Sequence, residues 1–231
     1  MDDASPITAP PRPNDAEFFH SHVFPDGEQI KGIKPLNVLQ AEADVVHRFG
    51  MAGKSVLDVG AWDGFQSFEA ERRGAARVLA TDHFCWNGPG WADKRGFDYA
   101  KFKHGSKVEE LEIDVPDITP EAIGGQFDVV LFLGVLYHVK DPLVCLERMA
   151  AVTGECLIVE TETAFDLIPW PVMRYYKRYE LNDDPTNYWA PNKLCLTTML
   201  QELGFSRFEI APTPFHKQSW KRGRIIMHAF R

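Results

Sequence analysis

Runs of apolar residues alternate with amphipathic stretches along most of the chain. Five runs have the length and apolar content of buried strands, at 55–59, 76–81, 111–115, 127–133 and 156–161. Helical spacing follows at 65–73, 142–152 and 192–203, and Gly74 and Gly204 stand where two of these helices end. Two further strands are predicted at 208–210 and 224–230. Strands that alternate with helices in this way predict a parallel sheet with helices on both faces.

The rest of the chain divides into three parts. Residues 1–13 contain four prolines and little to bury, which predicts a disordered tail. Residues 14–53 predict a small cover or lid in front of the sheet, with a helix at about 37–49. Residues 54–231 form the main domain, in which 83–107 is the longest predicted loop. A chain of 231 residues suits one such domain.

Charge and composition narrow the classes of function. The formal net charge of −8 opposes attachment to phosphate backbones, so nucleic acid is not the expected partner. No run approaches the roughly 20 apolar residues of a membrane span, and the N-terminus lacks the layout of a secretion signal. The four cysteines form no CxxC pair, as expected for reduced thiols. We therefore expect a soluble, cytoplasmic protein with no membrane partner, either a monomer or a homodimer.

The most informative motif follows the first strand of the alternation. Val56-Leu57-Asp58-Val59-Gly60-Ala61-Trp62-Asp63-Gly64 leads from an apolar strand through a glycine turn into a helix, and Asp82 ends the next strand. A helix that begins at such a turn offers backbone N–H groups to a ligand, and the second acid suits the hydroxyl pair of a ribose. The pattern predicts a nucleoside cofactor site. The alternative is an ordinary strand-turn-helix corner.

This motif resembles motif I of class I methyltransferases that use S-adenosylmethionine (SAM), with Trp62 at the position of the family's middle glycine. A second run, Gly134-Val135-Leu136-Tyr137-His138, is similar to the branch that includes the bacterial tRNA wobble-uridine carboxymethyltransferase. The motif Asp63-Gly64-Phe65 resembles a subgroup of shorter chains, which is associated with the modification of small molecules or sugars. The resemblance implies an α/β, Rossmann-like seven-stranded class I methyltransferase fold with a small N-terminal cover.

The resemblance also implies which residues contact SAM. They lie in the turn and at the strand ends: Asp58, Gly60, Ala61, Trp62, Gly64, Asp82, His83, Asp114, Val115, Leu133 and Gly134. Asp58 would organise the turn, Asp82 would bind the ribose hydroxyls, and Asp114 with Val115 would lie at the adenine.

Two residues are candidates for the catalytic step. Tyr137 is expected to contact the cofactor or the acceptor, near the transferred methyl group, and a packed core tyrosine is its alternative role. His138 is a candidate general base, and a hydrogen bond to the backbone is its alternative role. No metal is expected, because His20 and His22 would bind one only if an Asp or a third His converged on them.

Two segments, 18–24 and 84–104, are rich in rings but have too little apolar periodicity for the main core. Their rings are Phe18, Phe19, Phe24, Trp86, Trp91 and Tyr99. So much ring surface predicts that both segments order over the bound cofactor and acceptor.

Two basic runs, 174–178 and 217–231, interrupt the acidic background. Either could bind a phosphate or carboxylate, and the second lies largely on the last strand, where its charges would point outward from a sheet edge. The tRNA-modifying branch uses carboxy-SAM, whose added carboxylate needs a basic partner. The helix at 37–49 offers no clear one, so ordinary SAM is the expected cofactor.

The sequence therefore predicts a SAM-dependent methyltransferase that acts on an oxygen or nitrogen atom of a small polar or anionic metabolite. The alternative enzyme is a tRNA wobble-uridine methyltransferase or carboxymethyltransferase. A SAM-binding regulatory protein without activity is the alternative from another class, because Trp62 departs from motif I.

Overall fold

The computed structural model describes residues 9–90, 93–219 and 221–231. Its strands, numbered in chain order, are β1 (His22–Val23), β2 (Gln29–Ile30), β3 (Ser55–Val59), β4 (Arg77–Asp82), β5 (Glu109–Glu112), β6 (Phe127–Leu133), β7 (Thr153–Thr163), β8 (Met173–Tyr175), β9 (Trp189–Pro191), β10 (Arg207–Pro212) and β11 (Gly223–Phe230). Its α-helices are α1 (Leu36–Val46), α2 (Phe65–Arg72), α3 (Arg95–His104), α4 (Pro120–Ile123), α5 (Pro142–Val152) and α6 (Lys193–Glu202).

The central sheet has seven strands in the order β10-β11-β7-β6-β3-β4-β5. β11 is antiparallel to both of its neighbours, and the pairings from β7 through β5 are parallel. From β3 the chain moves outward to β5 and then returns to β6 on the other side of β3, so the strand order switches between β3 and β6. Open parallel sheets bind ligands at such a switch point, outside the carboxyl ends of the strands. The predicted seven-stranded Rossmann-like fold is confirmed.

The sheet buries apolar side chains on both faces because strand residues alternate in direction. In β6, Val130 and Phe132 join a core cluster with α5 and α6, whereas Val129 and Leu131 join a second cluster that includes side chains of α2 and α3. Full burial of one such side chain contributes about 1.5–3 kcal/mol. No helix within the described residues is long and apolar enough to cross a membrane.

The prediction that segments 18–24 and 84–104 lie outside the core was wrong. Phe18, Phe24, Trp86 and Tyr99 are buried and belong to the second core cluster. Each segment supplies too few rings to show a period of its own, and the rings pack on one another across the two segments. Phe24 and Tyr99, for example, meet edge to face with ring centroids 5.9 Å apart. Trp91 lies outside the described residues.

The predicted loop at 83–107 also contains a regular element, α3. Phe97, Tyr99 and Ala100 form its buried side, and it ends at Gly105, which takes the left-handed conformation at φ 60°. Charged residues interrupt the apolar pattern within this helix, so its periodicity in the sequence is too weak to predict a helix. Segment 83–107 therefore contributes a helix to the core as well as a loop.

Some boundaries differ from the predicted ones. β5 ends at Glu112, and the predicted end of this strand at 115 falls in a 3₁₀ turn, Val115–Asp117, because Pro116 has no N–H to donate to a strand ladder. β11 lies inside the sheet between β10 and β7, so the expectation that its charges point outward from an edge was also wrong. Within the predicted tail, residues 1–8 lie outside the described residues, and Arg12 pairs with Asp15 and Glu28.

Candidate active site

A glycine turn follows β3 at the switch point. Gly60 and Gly64 bound it with φ angles of 76° and 84°. A Cβ atom on Gly60 would lie 2.6 Å from Val135 Cγ2, and one on Gly64 would lie 2.7 Å from Phe68 Cε2. Both positions therefore require glycine, for backbone conformation and for space. The turn leads directly into the first amides of α2.

Trp62 occupies the left-handed conformation, at φ 52°, between these glycines. Its N–H donates to Asp82 Oδ2 at 2.9 Å, its carbonyl accepts from Trp86 Nε1 at 2.7 Å, and its ring stacks on Phe19 with centroids 4.5 Å apart. A residue with a side chain loses about 1–3 kcal/mol in this conformation. These contacts hold Trp62 in the conformation that a glycine would adopt without cost.

Asp82, at the end of β4, faces the turn. One carboxylate oxygen accepts from the Trp62 N–H and the other from the Cys85 N–H at 2.9 Å. The side chain is 5% exposed, and burial raises its pKa against the effect of these hydrogen bonds. Asp82 therefore joins the turn after β3 to the loop after β4, beside the place where a ribose is predicted.

Asp58 and Ala61 fix the base of the turn. The buried carboxylate of Asp58 accepts from Ser67 Oγ of α2 at 2.6 Å, and burial raises its pKa to about 6. The N–H groups of Gly60 and Ala61 both donate to the carbonyl of Thr81, at 2.8 and 3.0 Å. The turn is thereby tied to both β4 and α2.

Asp63, the residue after Trp62, contacts the N-terminal segment. Its Oδ2 accepts from the N–H groups of Phe19 and His20, at 2.8 and 2.9 Å. Its Oδ1 contacts His20 Nδ1 and lies 3.6 Å from His22 Nε2. Burial alone would raise the pKa of Asp63, but the contacts with the two imidazoles more than offset it and the pKa is lowered. An acid does converge on the His pair: Asp63 hydrogen-bonds His20 directly and lies within ion-pair distance of His22.

The residues after β4 and β5 are more open. His83 Nδ1 lies 3.1 Å from Glu112 Oε1, and both side chains are exposed. Asp114 accepts from the N–H of Val115 at 2.8 Å and so caps the following 3₁₀ turn. The structure thus brings Glu112, rather than Asp114, to His83. Glu112 was not singled out in the sequence.

Tyr137 belongs to a buried ionic cluster that the sequence analysis missed. Arg224 Nη2 donates to the Tyr137 hydroxyl and to Glu160 Oε2, at 2.8 Å each, and Arg224 Nε also contacts Glu160. Burial raises the pKa of Tyr137, while the contacts with Arg224 lower the pKa of Glu160 despite its burial. Gly134, at φ 74°, lies beside this cluster, because a Cβ at this position would be 3.4 Å from the Tyr137 hydroxyl.

A second buried acid extends this cluster. Glu162 lies 3.6 Å from Arg224 Nη1 and 3.2 Å from Arg222 Nε. Acids two residues apart at the end of an apolar strand point to the same face, and this spacing in β7 could have revealed Glu160 and Glu162 as a pair.

His138 points to a neighbouring loop. Its Nδ1 lies 2.9 Å from Thr186 Oγ1, and its ring is 4.3 Å from that of Tyr137. Burial lowers the pKa of His138 to about 4, so the imidazole is neutral at pH 7. The geometry favours a role for His138 in holding residues 184–188.

Leu133, the last residue of β6, packs half-buried against the second core cluster.

Within the described ranges no three His, Cys, Asp or Glu residues form a group that could hold a metal. A cavity of about 500 Å³ lies between α6, β10 and the β10–β11 loop, and one of about 280 Å³ lies at the amino ends of β3 and β7. Neither is lined by a residue that was predicted for the site.

Comparison with known proteins identifies relatives of the chain. Residues 37–209 match the family model described as a methyltransferase domain. The tRNA U34 carboxymethyltransferase of Helicobacter pylori strain G27 is 28% identical over 165 residues, which are 68% of this chain and 58% of that protein. The enzyme of the same name from Pseudomonas aeruginosa strain LESB58 is 32% identical over 165 residues, or 68% and 46%. The chain thus spans about half the length of these curated relatives.

Solved structures share the fold. The N-terminal domain of EvdMO1 with SAH bound has a TM-score of 0.69 at 17% identity, with 92% of this chain and 91% of that chain covered. Magnesium protoporphyrin IX methyltransferase from Synechocystis PCC 6803 with bound SAM has a TM-score of 0.54 at 19% identity, with 84% and 77% covered.

Proposed function

The chain belongs to the methyltransferase domain family, and on that premise we propose that it methylates a small polar or anionic metabolite with SAM as the donor. The observation that carries the proposal is the meeting of the Gly60–Gly64 turn, Asp82 and the Tyr137–Arg224 pair at adjoining strand ends. The first two features suit a nucleoside that carries an amino acid. The third presents a hydroxyl and a cation to a polar acceptor.

The residues at this edge fit SAM on the side of the turn. Gly60 and Gly64 allow the tight left-handed turn that would carry the methionine portion, because a side chain at either position would collide with Val135 or Phe68. The N-terminal end of α2 favours the carboxylate of that portion through its positive dipole. Asp82 is already fixed by two amides, and each of its oxygens keeps a lone pair for a ribose hydroxyl. We expect Leu133 and Gly134 to line the opposite wall.

On the acceptor side, the chain supplies alignment and polarity rather than a strong base. SAM, when bound, supplies a methyl group on a positively charged sulfur. Tyr137 keeps its proton because burial raises its pKa, and Arg224 fixes the position of its oxygen. His138, with a pKa of about 4, is a weak base at neutral pH. Alignment of reactants accounts for large rate enhancements without a base, if the acceptor atom has a free lone pair.

Two observations support a small acceptor. The net charge of −8 disfavours a polyanion. Structural neighbours with small ligands include the EvdMO1 domain in the presence of SAH and D-fucose and a Burkholderia thailandensis enzyme with bound 1,6-didemethyltoxoflavin. A non-catalytic SAM-binding protein is disfavoured because Trp62 takes the backbone conformation of the glycine that it replaces.

The test is a mass spectrometric comparison of small-molecule extracts incubated with SAM and either the wild-type protein or Tyr137→Phe. We expect a metabolite that gains the mass of one methylene group with the wild-type protein and gains it more slowly with the variant. If no extract component gains this mass while SAM binds tightly, a regulatory protein becomes the better assignment.

The second candidate is the tRNA carboxymethyl transfer of the curated relatives. Arg224 favours it, since a cation beside Tyr137 is the basic partner that an added carboxylate needs, and it comes from β11 rather than from the N-terminal helix. Arg222 of the second basic run also contacts Asn182, which follows the first run in the chain. However, Glu160 already pairs with Arg224, and Glu180 pairs with Arg174.

Binding to total tRNA at physiological salt separates the two candidates. A small-molecule enzyme should bind tRNA only in the non-specific range of about 10⁻⁴ to 10⁻⁶ M, and added salt should weaken it further. Submicromolar, salt-tolerant binding would favour the tRNA candidate. Carboxymethylation would appear as the mass of a carboxymethyl group on the product in place of a methylene.

A further inference from the structure

Residues 18–22, which we name the strap, contact the Gly60–Gly64 turn through hydrogen bonds and through ring stacking. The strap is anchored in the fold from behind: the Lys34 N–H donates to the carbonyl of Phe19 at 2.7 Å, and Ser21 Oγ donates to the carbonyl of Lys34 at 2.9 Å. The buried ring of Phe18 packs under it near Gly96. The strap is thus a fixed surface against which the turn can be positioned.

The turn meets the strap through two neighbouring residues. Asp63 is 1% exposed and accepts the N–H groups of Phe19 and His20, in addition to its contacts with the His20 and His22 rings. Phe19 is thereby held with its ring parallel to that of Trp62, at an interplanar angle of 14°. The carboxylate of Asp63 therefore positions Phe19, whose ring stacks on the neighbouring Trp62.

These contacts stabilise the left-handed backbone conformation of Trp62, which is strained for a residue with a side chain. A left-handed Trp persists only where its surroundings determine its conformation. Asp82 and Trp86 hold the backbone of Trp62 from the side of β4, and Phe19 holds its ring from the side of the strap. A glycine at the same position would need no such support.

We infer that Asp63 is a positioning residue of the cofactor site, which clamps the strap so that Trp62 keeps the left-handed turn in register for SAM. The inference rests on the proposed function for the identity of the ligand. The N-terminal segment and Asp63 thus replace, by tertiary contacts, the conformational freedom that a glycine at position 62 would have supplied. Asp63 itself does not contact the reacting atoms.

The inference predicts a specific coupling between Asp63 and Trp62. Asp63→Ala should lower the affinity for S-adenosylhomocysteine by about tenfold or more, because two buried N–H groups lose their acceptor and the strap is released. In a Trp62→Gly background the same change should cost less than about threefold, because glycine adopts the turn unaided. Asp63→Asn should fall between, since its amide oxygen still accepts from the strap.

Titration calorimetry with S-adenosylhomocysteine on the full chain measures all four members of the cycle, with thermal unfolding as the check on folding. If Asp63→Ala does not fold, Phe19→Ala in both backgrounds tests the same coupling at a half-buried site. Equal losses in the wild-type and Trp62→Gly backgrounds, or no loss in either, would overturn the clamp while leaving the proposed function intact. Absence of binding by the wild-type protein would instead overturn the proposed function and the clamp with it.

Discussion

Arg224 Nη2 donates a hydrogen bond of 2.8 Å to the hydroxyl of Tyr137, although 87 residues separate the two in the chain. The bond links β11, in the antiparallel half of the sheet, to the loop after β6 at the switch point. It fixes the phenolic oxygen and leaves the Tyr137 proton available to an acceptor. The candidate transfer site is therefore built from both halves of the sheet.

Removal of the Tyr137 hydroxyl should affect turnover more than SAM affinity. In Tyr137→Phe the acceptor loses a hydrogen bond made near the reacting centre, and kcat should fall by about tenfold to a hundredfold while SAM affinity changes little. Steady-state kinetics and calorimetry measure the two effects. Tyr175→Phe, at a ring that is 59% exposed on β8, is the matched control and should retain wild-type kinetics. Wild-type kcat in Tyr137→Phe would remove Tyr137 from the site.

Loss of the Arg224 charge should destabilise the fold. Arg224→Met leaves Glu160 and Glu162 buried without their shared cation, and breaking a buried ion pair in this way costs about 3–5 kcal/mol. Urea unfolding measures the change. Arg222→Met serves as the control, because its side chain is 37% exposed and Glu162 keeps Arg224 as a partner, so the loss should be smaller than in Arg224→Met. Similar losses in both variants would show that the cluster is not centred on Arg224.

Asp82→Ala should weaken SAM binding by about 1–3 kcal/mol, through the lost ribose contact and the release of the Trp62 and Cys85 N–H groups. Asp82→Asn keeps one accepting oxygen and should lose less. Calorimetry with SAM, alongside circular dichroism, separates binding from folding. Unchanged affinity in a folded Asp82→Ala protein would contradict the predicted ribose role.

The free energy of unfolding should depend on pH through two buried groups, His47 and Asp58, whose pKa values are shifted in opposite directions. Burial lowers the pKa of His47 from 6.5 to about 4, so between these values the unfolded chain binds more protons and stability falls as the pH falls. The full effect is up to about 3 kcal/mol. Burial raises the pKa of Asp58 from 3.8 to about 6, so there the folded chain binds more protons and stability falls as the pH rises.

Urea unfolding at pH about 5 and about 7 tests these signs. Relative to the wild-type protein, His47→Gln should be less sensitive to acid, because it removes the group that protonates on unfolding. Asp58→Asn should be more sensitive to acid, because it removes the opposing group. A shift of both variants in the same direction would contradict the assignment of these two buried groups.

The sequence alone determined the alternation of strands and helices, the glycine turn after β3 and the acid that ends β4. Each of these features depends on residues close together in the chain: the period of apolar side chains, the need for glycine at positive φ, and the turn that follows a buried strand. The resemblance at the turn and at Gly134–His138 pointed to the family that the match over residues 37–209 establishes.

Only the tertiary structure decided the partners of these motifs. Arg224 meets Glu160 across 64 residues and Tyr137 across 87, and Asp63 meets the strap across 43 and 44. Such pairs follow from the order of strands in the sheet and from the path of the N-terminal segment, which no local periodicity encodes. The same reason explains why the sequence places the rings at 18–24 and 84–104 outside the core. Their burial depends on contacts with each other, and those exist only once the chain has folded.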